Sequence, residues 1–257
     1  MQIPSETPIS EPSVHEHGKW TISEWVEASS TNDLARHLAP WSIARCDFQS
    51  SGRGRFNRTW FGEKGGLWTS FTLPLDADAP SAVNWGHLPL LTGLAVLDML
   101  DTLGISSARL RWPNDILVGK SKLAGILVER PSAQMAVIGI GINVFNDIER
   151  LAGLVKDTPV RIADLMDSPP SLDQLACLLA DCIDARFTGF RTQGLSSIAT
   201  ALLQAWKKFL PVTVATDEEN ISGTFMGIAE DGSPILSLPD GARRTIPAHT
   251  VNQLTEN

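Results

Sequence analysis

The run Ile138-Gly139-Ile140-Gly141-Ile142-Asn143 leaves this chain little choice of local structure. Its strict period of two belongs to a strand, because helical neighbours recur every three to four residues. The isoleucines then point into a core. Gly139, Gly141 and Asn143 line the opposite face, a shallow floor that ends in a hydrogen-bonding amide. A strand that uses glycine only for close packing would show the same pattern. The run is not a dinucleotide-binding fingerprint, since a third glycine and a following helix are missing.

The flanking patterns are mixed. Trp20 to Glu27, Trp41 to Phe48, Leu67 to Leu73, Arg109 to Trp112, Lys122 to Arg130 and Gln134 to Val144 read as strands or β segments. Pro131-Ser132-Ala133 breaks the last two into a hairpin-type connection. Ser30 with Asp33 marks a capping-box-like start for a short helix through Leu38. Residues 86–103 place Leu90, Leu91, Leu94, Leu97 and Leu100 at helical spacing, and further helices are predicted near 161–166, 172–190 and 197–209. After Pro211 the texture changes to short alternating runs split by turns such as Asp231-Gly232-Ser233-Pro234. The organisation expected is therefore a flexible leader over 1–18, an α+β domain over 19–210 and a small all-β module over 211–257.

Chemistry concentrates in a few segments. Arg53, Arg55 and Arg58 stand within six residues, although the whole chain carries a net charge of -8. That acidity opposes nucleic acid and anionic membranes and makes the arginines a local anion site. Gly52 and Gly54 let the loop fold over a bound molecule, and Trp60 offers a stacking face. A solvated loop with a core tryptophan explains the same residues. Lys122 opens a strand in which alternation puts Lys122, Ala124, Ile126 and Val128 on one face and Leu123, Gly125, Leu127 and Glu129 on the other. Arg111-Trp112-Pro113-Asn114-Asp115 places an amide and a carboxylate at the tip of a proline-fixed turn. Cys46, Cys177 and Cys182 fit no disulfide framework or zinc spacing, and with no secretory signal they point to a reducing cytoplasm. The longest apolar stretch, about Leu88 to Leu103, is too short and too polar to span a bilayer.

In this order the segments resemble the biotin protein ligases, over nearly the whole length from Trp20 to Val251. The resemblance implies a mixed β-sheet with packed helices, the class II aminoacyl-tRNA synthetase-like core of biotin and lipoate ligases, with a small SH3-like β-barrel at the C-terminus. It implies ATP-dependent activation of biotin and transfer to a lysine of a biotin carboxyl carrier protein. Ser30, Thr31, Asn32 and Gln49 match biotin contacts, and Gly52, Arg53, Gly54, Arg55, Arg58 and Trp60 match the loop that orders over the adenylate, Trp60 supporting the adenine. Asn114, Asp115 and Lys122 match the site's turn and lysine, Gly125 the strand lining the biotin pocket, and Asn143 an amide touching the adenylate. Lys122, Arg55 and Asp115 are the catalytic candidates, Asp115 orienting or deprotonating the incoming amine. Mg²⁺ is implied with ATP, its ligands unassigned. Many relatives form homodimers through an exposed sheet edge.

The family loop reads Gly-Arg-Gly-Arg-x-Gly-Arg-x-Trp, and Asn57 stands where its third glycine is expected. Asn tolerates left-handed backbone better than most residues. Some relatives also bind DNA through an N-terminal helix-turn-helix domain. About 20 residues precede the first strand here, and no DNA binding is expected. A lipoate ligase, or a non-catalytic protein that holds biotin or its adenylate, is the alternative.

Overall fold

The computed structural model describes residues 11–75, 85–151, 153–206 and 210–257. In chain order the elements are β1 (Ser13–His17), β2 (Trp20–Ala28), α1 (Thr31–Ala35), β3 (Ser42–Gln49), β4 (Leu67–Pro74), α2 (Leu88–Thr102), β5 (Ala108–Arg111), β6 (Asp115–Val118), β7 (Ser121–Ser132) and β8 (Met135–Ile142). Then come α3 (Leu172–Gln193), α4 (Ser196–Trp206), β9 (Pro211–Thr216), β10 (Asn220–Ile228), β11 (Pro234–Ser237), β12 (Arg243–Thr245) and β13 (Val251–Glu256).

The first eight strands form one sheet in the order β1-β2-β3-β4-β8-β7-β6-β5. Among the described residues only β2 and β3 run parallel, which makes the sheet mixed. The alternating isoleucines of β8 do what their period requires. Ile138, Ile140 and Ile142 enter the main core with Phe71, Ile126 and the leucines of α2. That helix is buried on almost every side, from Leu88 through Leu91 and Leu94 to Leu100, so its sequence has little polar face to show. Its Gly93 lets Leu110 approach, since a Cβ there would lie 2.7 Å from Leu110 Cδ1. Helix α3 begins with a reciprocal capping box between Ser171 and Gln174. It is tied to α2 by two hydrogen bonds from Arg186 to Asp98, of 2.5 and 2.6 Å. On the sheet's other face α1 covers a smaller cluster of Trp25, Ala28, Ala35, Ala44, Cys46, Trp68 and Val137.

The remaining strands make a five-stranded antiparallel sheet, β12-β11-β10-β9-β13, in the region where an SH3-like module was expected. It shares the main core through Val212, Val214, Phe225 and Leu254, with Trp206 edge-on to Phe225 at 4.8 Å. Trp112 Nε1 donates to Gly232 O at 3.0 Å, and Arg109 pairs with Glu256. These contacts seat the second sheet against the end of the first that carries the Trp112–Asn114 turn.

Several sequence expectations are corrected. Residues 13–17, assigned to a flexible leader, form edge strand β1 against β2. Their side chains are mostly exposed, so backbone pairing, not apolar alternation, makes the strand. The leader's first ten residues lie outside the described set. Ser30 makes no side-chain cap, and α1 stops at Ala35. Near 161–166 there is a single 3₁₀ turn, Ile162–Asp164, capped through Arg161. Pro131 does not end its strand, because β7 runs on to Ser132 with a register shift between Glu129 and Ser132. Helix α4 is described to Trp206, and the end expected at 209 lies outside the described residues. Among the described residues, no helix is long and apolar enough to cross a membrane.

Candidate active site

A cleft of about 590 Å³ opens where β7, β8, the Gly52–Trp60 loop, the 112–115 turn and the start of β13 converge. Every expected site residue except Gly52 lines it, and Gly52 is buried just behind. Its walls carry six cations, Arg53, Arg55, Arg58, Arg111, Lys122 and Lys156, against two carboxylates, Asp115 and Asp157. In an acidic chain this is a strongly positive basin, suited to a polyanion.

One end is a buried polar cradle. Gln49 Oε1 accepts from Thr31 N at 2.9 Å and from Thr31 Oγ1 at 3.2 Å. Ser70 Oγ lies 2.7 Å from Thr31 Oγ1 and 2.6 Å from Asn32 Oδ1, and Asn32 Nδ2 donates to Glu129 Oε2 at 2.9 Å. Each side chain fixes the next, so the cradle's donors and acceptors are set before any ligand arrives. Ser70 and Glu129 were not singled out from the sequence, because only the fold brings their strands beside Asn32.

Arg53 is engaged nearby. Both its terminal nitrogens donate to Asp33, each at 2.7 Å. The hydrogen bond from Arg53, opposed by burial, holds the Asp33 carboxyl below its ordinary 3.8. A depressed carboxylate stabilises the fold fully above its unfolded value and loses that contribution as pH falls through the folded one. The urea midpoint is therefore expected to drop on acidification below about pH 4, and Asp33→Asn should flatten that part of the profile. An unchanged slope in the variant would refute the assignment.

The arginine loop is closed on itself. Trp60 N donates to Gly52 O at 2.8 Å and Gly54 N to Arg58 O at 2.7 Å. The tip, Arg55–Arg58, needs two consecutive left-handed residues, Phe56 at φ 57 and Asn57 at φ 55. Asn57 is thus a tolerable replacement for glycine, whereas Phe56 is a costly residue in that backbone. Asn57→Ala should cost about 1–2 kcal/mol of loop closure and raise tryptic cleavage at Arg55 and Arg58 about tenfold. Asn57→Gly should raise neither. Two arginines reach across to the second sheet, Arg55 Nη2 to Val251 O at 3.3 Å and Arg58 Nη2 to Asn252 O at 3.4 Å. Burial pulls the Arg55 pKa down, against the opposing charge of Asp115.

The glycine floor is used by the protein itself. Gly125 and Gly141 face each other across β7 and β8, and the Trp60 indole lies on both. Added Cβ atoms would stand 2.8 and 2.5 Å from its ring atoms. At Gly139 a Cβ would meet Asn32 Oδ1 at 2.3 Å. The bare strand face expected to lie under a ligand is thus the seat of Trp60 and Asn32, and a ligand meets those side chains.

Lys122 also departs from simple alternation. The pairing of β6 with β7 matches Ile116 to Ala124 but Leu117 to Lys122, a bulge that inserts one residue. The bulge turns Lys122 off the core face, where period two had placed it with Ala124, and onto the cleft side beside Gly125. Its ammonium lies 5.3 Å from the Trp60 ring centre and 2.6 Å from Asp115 Oδ1. Asp115 Oδ2 accepts from Arg111 Nη2 at 2.6 Å. Arg111 in turn donates to both oxygens of Asp157, at 2.9 and 2.6 Å. Hydrogen bonding to Arg111, against burial, holds the Asp157 carboxyl low. Burial would lower the Arg111 pKa, but its two carboxylates outweigh that and raise it. Both Asp115 oxygens are thus engaged by cations.

The two amides are stitched into the frame. Asn114 Nδ2 donates to Ile126 O at 2.9 Å, and Asn143 Nδ2 to Lys122 O at 3.4 Å while Asn143 Oδ1 accepts from Asn146 Nδ2 at 3.1 Å. Asp157 and Lys156 were missed in the sequence, since nothing local distinguishes them from loop charges. Among the described residues, no group of three His, Cys, Asp or Glu side chains is placed to hold a metal ion.

Comparison with known proteins agrees with this architecture. The model of the biotin/lipoate A/B protein ligase family matches residues 28–143. The biotin–[acetyl-CoA-carboxylase] ligase of Paracoccus denitrificans is 32% identical over 241 residues, covering 86% of this chain and 96% of the relative. The bifunctional ligase/repressor BirA of Bacillus subtilis is 26% identical, over 85% of this chain and 69% of its own. Among solved structures, the biotin protein ligase from Aquifex aeolicus in complex with biotin and ATP shares the fold, with a TM-score of 0.79 at 22% identity over 92% of this chain and 99% of that one. This chain belongs to the biotin protein ligase family.

Proposed function

We propose that the cleft joins biotin to ATP and then passes the biotinyl group to a carrier lysine. The observation that carries this reading is the convergence of the arginine loop and Lys122 on one basin beside a buried polar cradle. In the first step a biotin carboxylate oxygen attacks the α-phosphorus. A new P–O bond forms, the bond to the β-phosphate oxygen breaks, and pyrophosphate leaves. Two anions must be brought together, and Lys122, Arg55 and Arg58 offset their repulsion from fixed positions. In the second step the carrier amine attacks the acyl carbon, the C–O bond to AMP breaks, and the amine's proton passes to solvent.

Ser30, Thr31, Asn32 and Gln49 fit the ureido ring of biotin, whose carbonyl and N–H groups need paired donors and acceptors. Gly52 and Gly125 let Trp60 pack close, and Gly54 lines the cleft. Lys122 fits between the carboxylate and the α-phosphate, and Asp115 holds it there. Arg53 braces the loop through Asp33. Trp60 supports the adenine, and Asn114 and Asn143 fix the strands beneath. Mg²⁺ would arrive with the triphosphate, and no step here runs through it. The partner is a biotin carboxyl carrier domain, the compartment the cytoplasm, and the assembly a pair of copies through a sheet edge. Residues 19–210 would be the catalytic domain and 211–257 the second.

Mass spectrometry of a purified carrier domain, incubated with this protein, biotin and MgATP, tests the reading. One added biotinyl group on one lysine is expected. Labelling with lipoate but not biotin, or no labelling together with no biotin-dependent exchange of pyrophosphate into ATP, would overturn it.

A further inference from the structure

One segment bonds the Lys122 backbone and is linked to its side chain through Arg111 and Asp115. Lys122 N donates to Thr158 O at 2.7 Å, and Lys122 O accepts from Val160 N at 3.0 Å, so residues 158–160 run beside it like a short parallel strand. Asp157, the residue just before, sends its carboxylate to Arg111 at two points. Arg111 holds Asp115, and Asp115 holds the Lys122 ammonium. The four side chains thus form an alternating row, minus-plus-minus-plus, ending at the group that meets substrate.

The order of that row decides what its far end does. Arg111 carries a planar fork that prefers to bind one carboxylate at two points. In this site Asp157 accepts that two-point contact and leaves Asp115 with a single bond from Arg111. The free oxygen, Asp115 Oδ1, then goes to Lys122. Without the Asp157 charge, Arg111 would take both Asp115 oxygens and release the ammonium from its station. The row is well buried, with Arg111 at 9% side-chain exposure and Asp115 at 16%, so solvent screens these choices weakly.

We propose that Asp157 is a positioning residue for adenylate formation, acting through Arg111 and Asp115 to hold the Lys122 ammonium over the cleft. It touches neither reacting atom. The proposal deepens the ligase reading and rests on it.

The test is single-turnover formation of biotinyl adenylate by the full chain, with Asp157→Asn in the native background and again in Lys122→Ala. In the native background the rate should fall about tenfold to thirtyfold, with the biotin concentration for half-maximal rate changed less than about threefold. In the Lys122→Ala background the same substitution should cost less than about twofold, because the group it positions is gone. A merely structural brace would cost the same in both. Equal cost in the two backgrounds, or a native-background rate unchanged by Asp157→Asn, overturns the proposal while leaving the ligase reading intact. A wild-type chain that forms no adenylate overturns that reading, and this proposal with it. Should Asp157→Asn lower the melting temperature by more than about 5 °C, Asp157→Glu carries the test. It keeps the charge, and recovery to within about threefold of the native rate is expected. An Asp157→Glu chain as slow as Lys122→Ala overturns the proposal.

Discussion

Replacing Lys122 with alanine is expected to slow adenylate formation by about 10²–10³-fold, while carrier docking changes little. The ammonium is held beside the site where negative charge must be gathered, 2.6 Å from Asp115 and over the face of Trp60. Removing it leaves Asp115 with Arg111 as its remaining cation partner, and takes from the cleft a positive charge that offsets the substrates' repulsion. A lysine that only bound substrate would affect both substrate states equally and raise the half-saturating concentration alone. Pyrophosphate exchange and carrier binding by calorimetry, measured on one preparation, separate these cases. Comparable loss of both would end the assignment.

The second large effect is expected from a single methyl group. Gly141→Ala would place a Cβ about 2.5 Å from Trp60 Nε1 and Cε2, closer than van der Waals contact allows. The indole must then lift off β8, and Trp60 anchors the end of the arginine loop through its bond to Gly52 O. We expect a stability loss of about 1–3 kcal/mol, as for overpacked cores, and weaker biotin binding, because the loop loses its seat. Trp60→Phe in the same chain should recover part of both, since a smaller ring relieves the clash. Urea denaturation and biotin titration check this. A Gly141→Ala chain that binds biotin like the wild type would show that the indole is not seated there in solution.

Much of the frame was legible because period and punctuation are local. The isoleucine alternation of β8, the leucine spacing of α2 and the turn residues after Pro211 each fix an element without knowledge of its partners. The arginine and glycine segments that line the cleft stood out because they cluster in short runs, whereas Ser30, Thr31, Asn32 and Gln49 were named only through the resemblance to the family. What escaped was long-range or a matter of counting by one. The bulge at Lys122 reverses a face that period two assigned, and it exists only because β6 pairs out of step with β7. Strand β1 carries little apolar signal and forms because β2 offers an open edge. Asp157 lies 46 residues from Arg111 along the chain, and no local pattern links them. The glycine floor was read as a seat for a ligand, whereas the structure takes the close-packing alternative and fills it with Trp60 and Asn32.

The backbone oxygens that receive Arg55 and Arg58 belong to β13, the strand made after all the others in both sheets. A nascent chain can therefore assemble the buried polar cradle of α1, β3, β4 and β7 while its arginine loop still lacks these acceptors. The loop's ties to the second sheet arrive only with β13, the last of the described strands to leave the ribosome.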